Sequence, residues 1–138
     1  MILYVFGPGR IGFEAFLELY LPPLQRLEES DHVVVCDLGG TDTLAMEVLK
    51  DRTANVAVLH IGERPRYLPD RHKTKAAGWE LVGGFADDNA RDRAAVERCT
   101  HFLAHDLSPV PGRTSGTMRI MQLCHKLGKP RIRCGSSV

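Results

Sequence analysis

Short apolar runs alternate along the chain with longer stretches in which apolar residues recur at helical spacing. The runs at residues 2–6, 32–36, 56–61 and 100–104 are rich in β-branched or aromatic residues, which predicts buried strands. Helical periodicity follows the first, second and fourth runs, and residues 87–99 predict a further helix.

Other segments disturb this alternation. Two prolines, Pro22 and Pro23, break the first helix, and Pro23 is suited to start a second short one. Residues 62–78 have no apolar period and predict a long irregular connection, which is either a functional loop or locally disordered. A short strand is predicted over residues 79–85 and a last, edge strand over residues 131–134.

Alternating strands and helices predict an α/β fold, a Rossmann-like doubly wound and mostly parallel sheet of about five strands with helices on both faces. We interpret residues 1–138 as a single domain of this type. Glycine-bearing turns follow the first, second and fourth of the buried runs, at the carboxyl edge of the sheet. If the first of these runs neighbours the fourth at the point where the strand order reverses, turns 7–12 and 112–117 meet across one crevice.

Composition limits the partners of the chain. Its 138 residues carry 18 Lys and Arg against 17 Asp and Glu, a net charge of +1. A net charge so close to zero does not favour binding to extended nucleic acid or to an anionic membrane. The four cysteines contain no C-x-x-C pair and the histidines are scattered along the chain, so we expect no metal site. The first apolar run is too short for a signal peptide, and no run approaches membrane-spanning length, which favours a cytoplasmic location.

The turn before the last helix has the features of a phosphate cradle. Residues 110–117 read V-P-G-R-T-S-G-T, so that Gly112, Arg113, Ser115, Gly116 and Thr117 lie where the helix begins. Unpaired N–H groups and a positive dipole end gather at a helix start, and small residues let an anion approach them. The alternative is an ordinary turn in which Thr114 or Ser115 is the N-cap.

The turn after the first strand matches the G-x-G-x-x-G pattern of dinucleotide-binding proteins. It contains Gly7, Gly9, Arg10 and Gly12, and Asp37 ends the second strand, where it is placed to take a ribose hydroxyl. An NAD-binding oxidoreductase-like domain is therefore one interpretation of the sequence, ranked third of three.

Two further segments carry candidate binding residues. Gly39 and Gly40 with Thr41 and Asp42 form another anion-accepting turn, in which Asp42 either caps the helix or holds a ribose. Near the start of the helix predicted over 87–99, Asn89 and Arg91 are candidate ligand contacts. Arg91 could reach a phosphate with Asp92 holding it in place; the alternative is a solvated charged helix face.

These motifs, taken in order, resemble the SLOG superfamily of small Rossmann-like nucleotide-binding proteins. The resemblance rests on the first glycine turn, on G-G-T-D-T-L-A at residues 39–45, on N-A-R-D at residues 89–92 and on S-G-T at residues 115–117. Within it, the chain looks most like the YspA/YpsA-related branch. The resemblance implies that the glycine turns hold a nucleotide or a nucleotide-derived ligand.

The Lonely Guy phosphoribohydrolases of that superfamily cleave the N-glycosidic bond of nucleoside monophosphates with a P-G-G-x-G-T-x-x-E motif. Pro111 and Gly112, then Gly116 and Thr117, resemble its two ends with one residue more between them. Ile120 stands where the catalytic Glu would be, and an oxocarbenium-like centre needs a nearby carboxylate.

Two functions follow as hypotheses. The first is a sensor or sequestering module for a nucleotide, with no cofactor and no turnover. The alternative is a nucleoside-monophosphate N-glycosidase in which Asp42 or Asp92 supplies the carboxylate, so whether the chain is an enzyme stays open. A homodimer or higher homo-oligomer is left open too. The expected ligand-binding residues are Gly7, Gly9, Arg10, Gly39, Gly40, Thr41, Asp42, Asn89, Arg91, Arg113, Ser115, Gly116 and Thr117.

Overall fold

The computed structural model describes residues 1–107 and 110–133 and contains one five-stranded sheet in which every pair of neighbouring strands is parallel. The strands lie in the order β4-β3-β2-β1-β5. Their bounds are β1 Ile2–Val5, β2 His32–Cys36, β3 Val56–Leu59, β4 Glu80–Val82 and β5 His101–Leu103. The predicted α/β fold with a doubly wound parallel sheet is therefore confirmed.

The helices cover both faces of the sheet. Their bounds are α1 Phe13–Leu19, α2 Leu21–Gln25, α3 Thr41–Leu49, α4 Asp88–Arg98 and α5 Gly116–Lys126. Side chains of β1 alternate between two hydrophobic clusters, Leu3 and Val5 packing with α1 to α3 and Tyr4 and Phe6 with α4 and α5. Strands covered on both faces are apolar at most positions, which is why residues 33–36 and 56–59 are uninterrupted apolar runs.

The strand order reverses at β1. From β1 the chain moves step by step to β4 at one edge, and then crosses by α4 to β5 on the other side of β1. Leu3 pairs with His101 on β5 and with Val33 on β2, so β1 is central to both halves. The turns after β1 and β5 therefore lie at the switch point, where an open α/β sheet leaves a crevice.

The long connection between β3 and β4 is packed against the protein. It contains a short 3-10 helix, Lys75–Gly78, in which Ala76 is fully buried. Trp79 follows it in the core and donates a hydrogen bond from its indole N–H to the carbonyl of Thr53 at 2.9 Å. Tyr67 and Leu68 pack against the same hydrophobic cluster. These apolar contacts are too irregularly spaced along the sequence to produce a helical or strand period.

Several local predictions need correction. The N-cap of α3 is Gly40, not Thr41 or Asp42, which are the first two residues of the helix. The helical period after the first strand places Phe13 on the same stripe as Phe16, but Phe13 is 63% exposed, and the α1 side chains that pack against the core are Phe16 and the partly buried Leu19. Arg131 forms an isolated parallel bridge with Phe102 and belongs to no strand of the described residues, while Cys134 of the predicted edge strand lies outside them.

No helix in the described ranges is long and apolar enough to span a membrane.

Candidate functional site

A cavity of about 480 Å³ lies at the carboxyl edge of the sheet, where the turns after β1, β2 and β5 approach one another. Cavities that bind small ligands usually have volumes of about 300–1,000 Å³. The residues predicted from the sequence that line it are Gly7, Gly9, Arg10, Asp42, Arg91, Asp92, Ser115, Gly116 and Thr117. Residues from three separate turns and from α4 are thus brought together as expected.

Two of the predicted binding residues hold one turn against another and do not line the cavity. Gly40 has a φ of +69°, and a Cβ there would lie 2.3 Å from the carbonyl oxygen of Gly9. Thr41 is fully buried, and its hydroxyl donates to the carbonyl of Pro8 at 2.9 Å. The glycine and the threonine therefore position the β1 turn, which is a structural contribution to the site.

Three more predicted residues lie apart from the cavity lining. Gly39 is exposed, and a Cβ built on it meets its nearest neighbour, the carbonyl oxygen of Gly9, at 4.0 Å. Asn89 is exposed on α4 and borders a groove between α4 and α5 instead. Arg113 is exposed, and its own backbone N–H donates to the carbonyl of Val110 at 3.0 Å, which closes a turn.

The start of α5 has the predicted capping geometry. Ser115 is the N-cap, and its hydroxyl accepts a hydrogen bond from the amide of Met118 at 3.0 Å and donates one to Asp106 at 2.9 Å. The amides of Gly116 and Thr117 precede the first intrahelical donor, the amide of Arg119, so the helix itself does not satisfy them. A Cβ on Gly116 would meet only the guanidinium of Arg119, at 3.7 Å.

Arg91 is buried in a cluster of acidic side chains. It is 1% exposed, and its Nη1 lies 3.0 Å from Oδ1 of both Asp37 and Asp88. Its Nη2 and Nε also donate to Asp92, at 3.0 and 3.2 Å. Asp92 does hold Arg91 as predicted, but the alternative of a solvated charged face is wrong for this residue.

Two carboxyl groups facing the cavity have perturbed ionisation. Burial raises the pKa of Asp42 well above its usual value, although the amide of Leu38, which donates to it at 3.1 Å, and the charge of Arg91 oppose this. Burial also raises the pKa of Asp92, again against the attraction of Arg91. Asp42 therefore holds its proton more firmly than an ordinary aspartic acid.

The floor of the cavity is formed by aromatic and sulfur-containing side chains of the strands. Tyr4 and Phe6 come from the end of β1 and Cys36 from the end of β2. The Tyr4 hydroxyl lies 3.7 Å from the Cys36 sulfur, and burial raises the pKa of both groups. A neutral phenol and a neutral thiol suit the binding of an uncharged planar group and give no activated nucleophile.

Several lining residues escaped the sequence reasoning. Asp106 comes three residues after the end of β5, so its place near the carboxyl edge was a usable signal. Asp88 and Arg119 lie in the first turns of α4 and α5 and could have been noted as helix-start charges. Tyr4 and Cys36 gave no signal, because residues of a doubly covered strand look alike whether they face a helix or a cavity.

Asp37 does not have the role that the dinucleotide fingerprint assigns to it. Its side chain is fully buried, and its two oxygens are occupied by Arg91 and by the backbone amide and Nε of Arg66, at 3.0 to 3.3 Å. A carboxylate with these partners does not hold a ribose hydroxyl. Asp37 was the residue that distinguished an NAD-binding site from an ordinary glycine turn, and the structure does not leave it available for that role.

Within residues 1–107 and 110–133, no group of three or more His, Cys, Asp or Glu residues could hold a metal ion. Comparison of the chain with protein-family models, with curated proteins and with solved structures gives no match. The resemblance to the SLOG superfamily therefore stays a prediction that rests on the motifs of the chain itself.

Proposed function

We propose that the chain binds a nucleotide or a nucleotide-derived ligand in the cavity at the β1–β5 switch point. The observation that carries this proposal is the convergence of the β1, β2 and β5 turns on one cavity of about 480 Å³. The cavity combines three kinds of recognition group. A helix N-terminus and arginines suit a phosphate, carboxylates suit sugar hydroxyls, and an apolar floor suits a base.

The phosphate is placed at the start of α5. Arg10 and Arg119 line the cavity, Arg119 beside Gly116, and neither is among the arginines that form ion pairs in the described part of the chain. Arg91, which the sequence suggested for this role, already faces three carboxylates and has no charge to spare. We therefore assign phosphate binding to Arg10, Arg119 and the amides of Gly116 and Thr117.

Binding is tested by calorimetry with purine and pyrimidine nucleoside monophosphates. Gly116→Val is expected to abolish heat of binding, because a branched side chain would fill the space that the phosphate needs, whereas the open surroundings of Gly116 leave the fold intact. Gly12→Val is the matched control, since a Cβ built on Gly12 has no atom within 4 Å and Gly12 does not line the cavity. Equal affinity in both variants would place the ligand elsewhere.

A second candidate function, N-glycosidic hydrolysis of a nucleoside monophosphate, is favoured by one specific observation. Asp42 and Asp92 line the same cavity, so Ile120 at the position of the expected Glu does not leave the site without carboxylates. Asp42, which holds its proton, would donate it to the departing base. Asp92 would stabilise the positive charge at C1′ and orient the water that adds there.

Hydrolysis is tested by incubating the protein with nucleoside monophosphates and separating free base by chromatography. The hydrolase hypothesis expects base release that is lost in Asp42→Asn and Asp92→Asn while nucleotide binding is retained. Asp51→Asn is the matched control, because Asp51 is exposed and outside the cavity. Binding without any base release would leave the chain as a sensor or sequestering module.

A further inference from the structure

A second cavity, of about 650 Å³, lies at the carboxyl ends of β3 and β4. It is enclosed by residues 62–71 of the long connection and by the turn that contains Gly83 and Gly84. None of its lining residues lines the candidate site at the β1–β5 switch point. The volume is sufficient for a small metabolite.

A buried histidine lines this second cavity. His60 is only 5% exposed, and its Nδ1 has no hydrogen-bond partner among the described residues. A Cβ on Gly83 would lie 2.7 Å from Cε1 of His60, so a glycine is needed beside the ring. A buried polar atom left without a partner costs free energy, which a bound ligand or a water held with it would recover.

The charge around the histidine is positive. Arg64 and Arg71 line the cavity, and neither is within ion-pair distance of a carboxylate in the part of the chain that the structure describes. Arg71 is held in place by hydrogen bonds to the carbonyls of Ala76 and Ala77, at 3.2 and 3.3 Å. Glu63 is the acidic residue of the lining, so two uncompensated guanidinium groups face one carboxylate.

We propose that this cavity is a second binding site, which takes a small metabolite carrying a phosphate or carboxylate group. Arg64 and Arg71 bind the oxyanion, and the His60 ring lies at the inner wall. The third arginine of the lining, Arg66, is already paired with Asp37 and Asp88. This proposal does not depend on nucleotide binding at the first site.

The test follows the His60 ring nitrogens by NMR while the full chain is titrated with inorganic phosphate or with acetate, and sodium chloride at equal ionic strength is the control. Loss of the signal in His60→Gln assigns it. A saturable shift with either anion is expected, and the anion that binds more tightly identifies the group on the natural ligand. The shift must persist in Gly116→Val, because that substitution blocks only the first site.

Arg64→Ala is the critical variant, because Arg64 is exposed and its side chain makes no hydrogen bond or ion pair with another residue in the described ranges. We expect it to weaken anion binding roughly tenfold, the loss typical of one charge-assisted hydrogen bond. Arg26→Ala, which removes an exposed arginine remote from the cavity lining, should change nothing. A shift that chloride reproduces, that does not saturate, or that Arg64→Ala leaves unchanged overturns the proposal.

Discussion

Replacing Arg91 by methionine should destabilise the fold strongly, because the buried guanidinium compensates a carboxylate that water cannot reach. The side chain of Asp37 is fully buried, and Nη1 of Arg91 lies 3.0 Å from its Oδ1. Removing one partner of a buried ion pair costs about 3–5 kcal/mol. Arg66 retains its contact with the other oxygen of Asp37, so we expect the lower end of that range, about 3 kcal/mol.

The other partners of Arg91 add less to this cost. The side chain of Asp88 is 60% exposed and that of Asp92 20%, so solvent screens both of them when the guanidinium is lost. Burial opposes the charge of Arg91, but the acidic groups around it, Cys36, Asp92 and Asp88 among them, outweigh this and raise its pKa. Methionine therefore removes a charge that is present at every accessible pH.

The measurement is urea unfolding followed by circular dichroism at neutral pH. Arg93→Met is the matched control, because the Arg93–Glu97 pair on the same helix is exposed and should contribute no more than about 0.5 kcal/mol. The double variant Asp37→Asn/Arg91→Met should lose less than the sum of the single losses, since no buried charge is left unpaired. If Arg91→Met costs no more than Arg93→Met, the buried cluster does not stabilise the fold.

Further predictions concern the residues that support the site. Gly40→Ala should destabilise the fold by at least about 1–3 kcal/mol, the cost of a strained backbone, and Gly39→Ala should not; urea unfolding compares them. Tyr20→Phe should cost about 1–3 kcal/mol in the same assay, because the Tyr20 hydroxyl satisfies two backbone groups. The raised pKa of Asp42 makes the folded chain bind a proton that the unfolded chain releases above about pH 4, so stability falls as pH rises. Asp42→Asn should therefore remove this fall, so that the variant gains stability relative to the unsubstituted chain as pH rises above about 4, and an unchanged pH profile would contradict this.

The sequence predicts the layers of the fold well because strand and helix periods differ. The alternation from residue 2 to residue 126 predicts a parallel sheet, whereas the reversal at β1 was only a condition of the sequence-based prediction and is supplied by the observed strand order. Boundaries were too wide by one or more residues, as at residues 56–61, where the strand is Val56–Leu59. Backbone pairing ends strands, and an apolar run does not encode where pairing stops.

The candidate site was predictable only where a residue type has one dominant use. Gly116 and Ser115 lie where helix-start chemistry places them. Gly40 and Arg91 were assigned to a ligand, yet a glycine can also be required by a neighbouring backbone and an arginine by a buried carboxylate. Those contacts join segments more than 30 residues apart in the sequence, so no local pattern reveals them.

The charges of the first cavity restrict how a nucleotide can lie in it. Four carboxyl groups and three guanidinium groups line the cavity, and one of the guanidinium groups, that of Arg91, is already compensated. A phosphate near Asp42 and Asp92 would meet like charge or desolvated acid, which is unfavourable. At the start of α5 it would meet Arg119 and the helix dipole, although the Asp106 carboxylate that accepts from Ser115 lies there too. If the proposed nucleotide binding holds, we therefore expect the phosphate to point towards α5 and the sugar to lie nearer Asp42 and Asp92, the orientation that both candidate functions require.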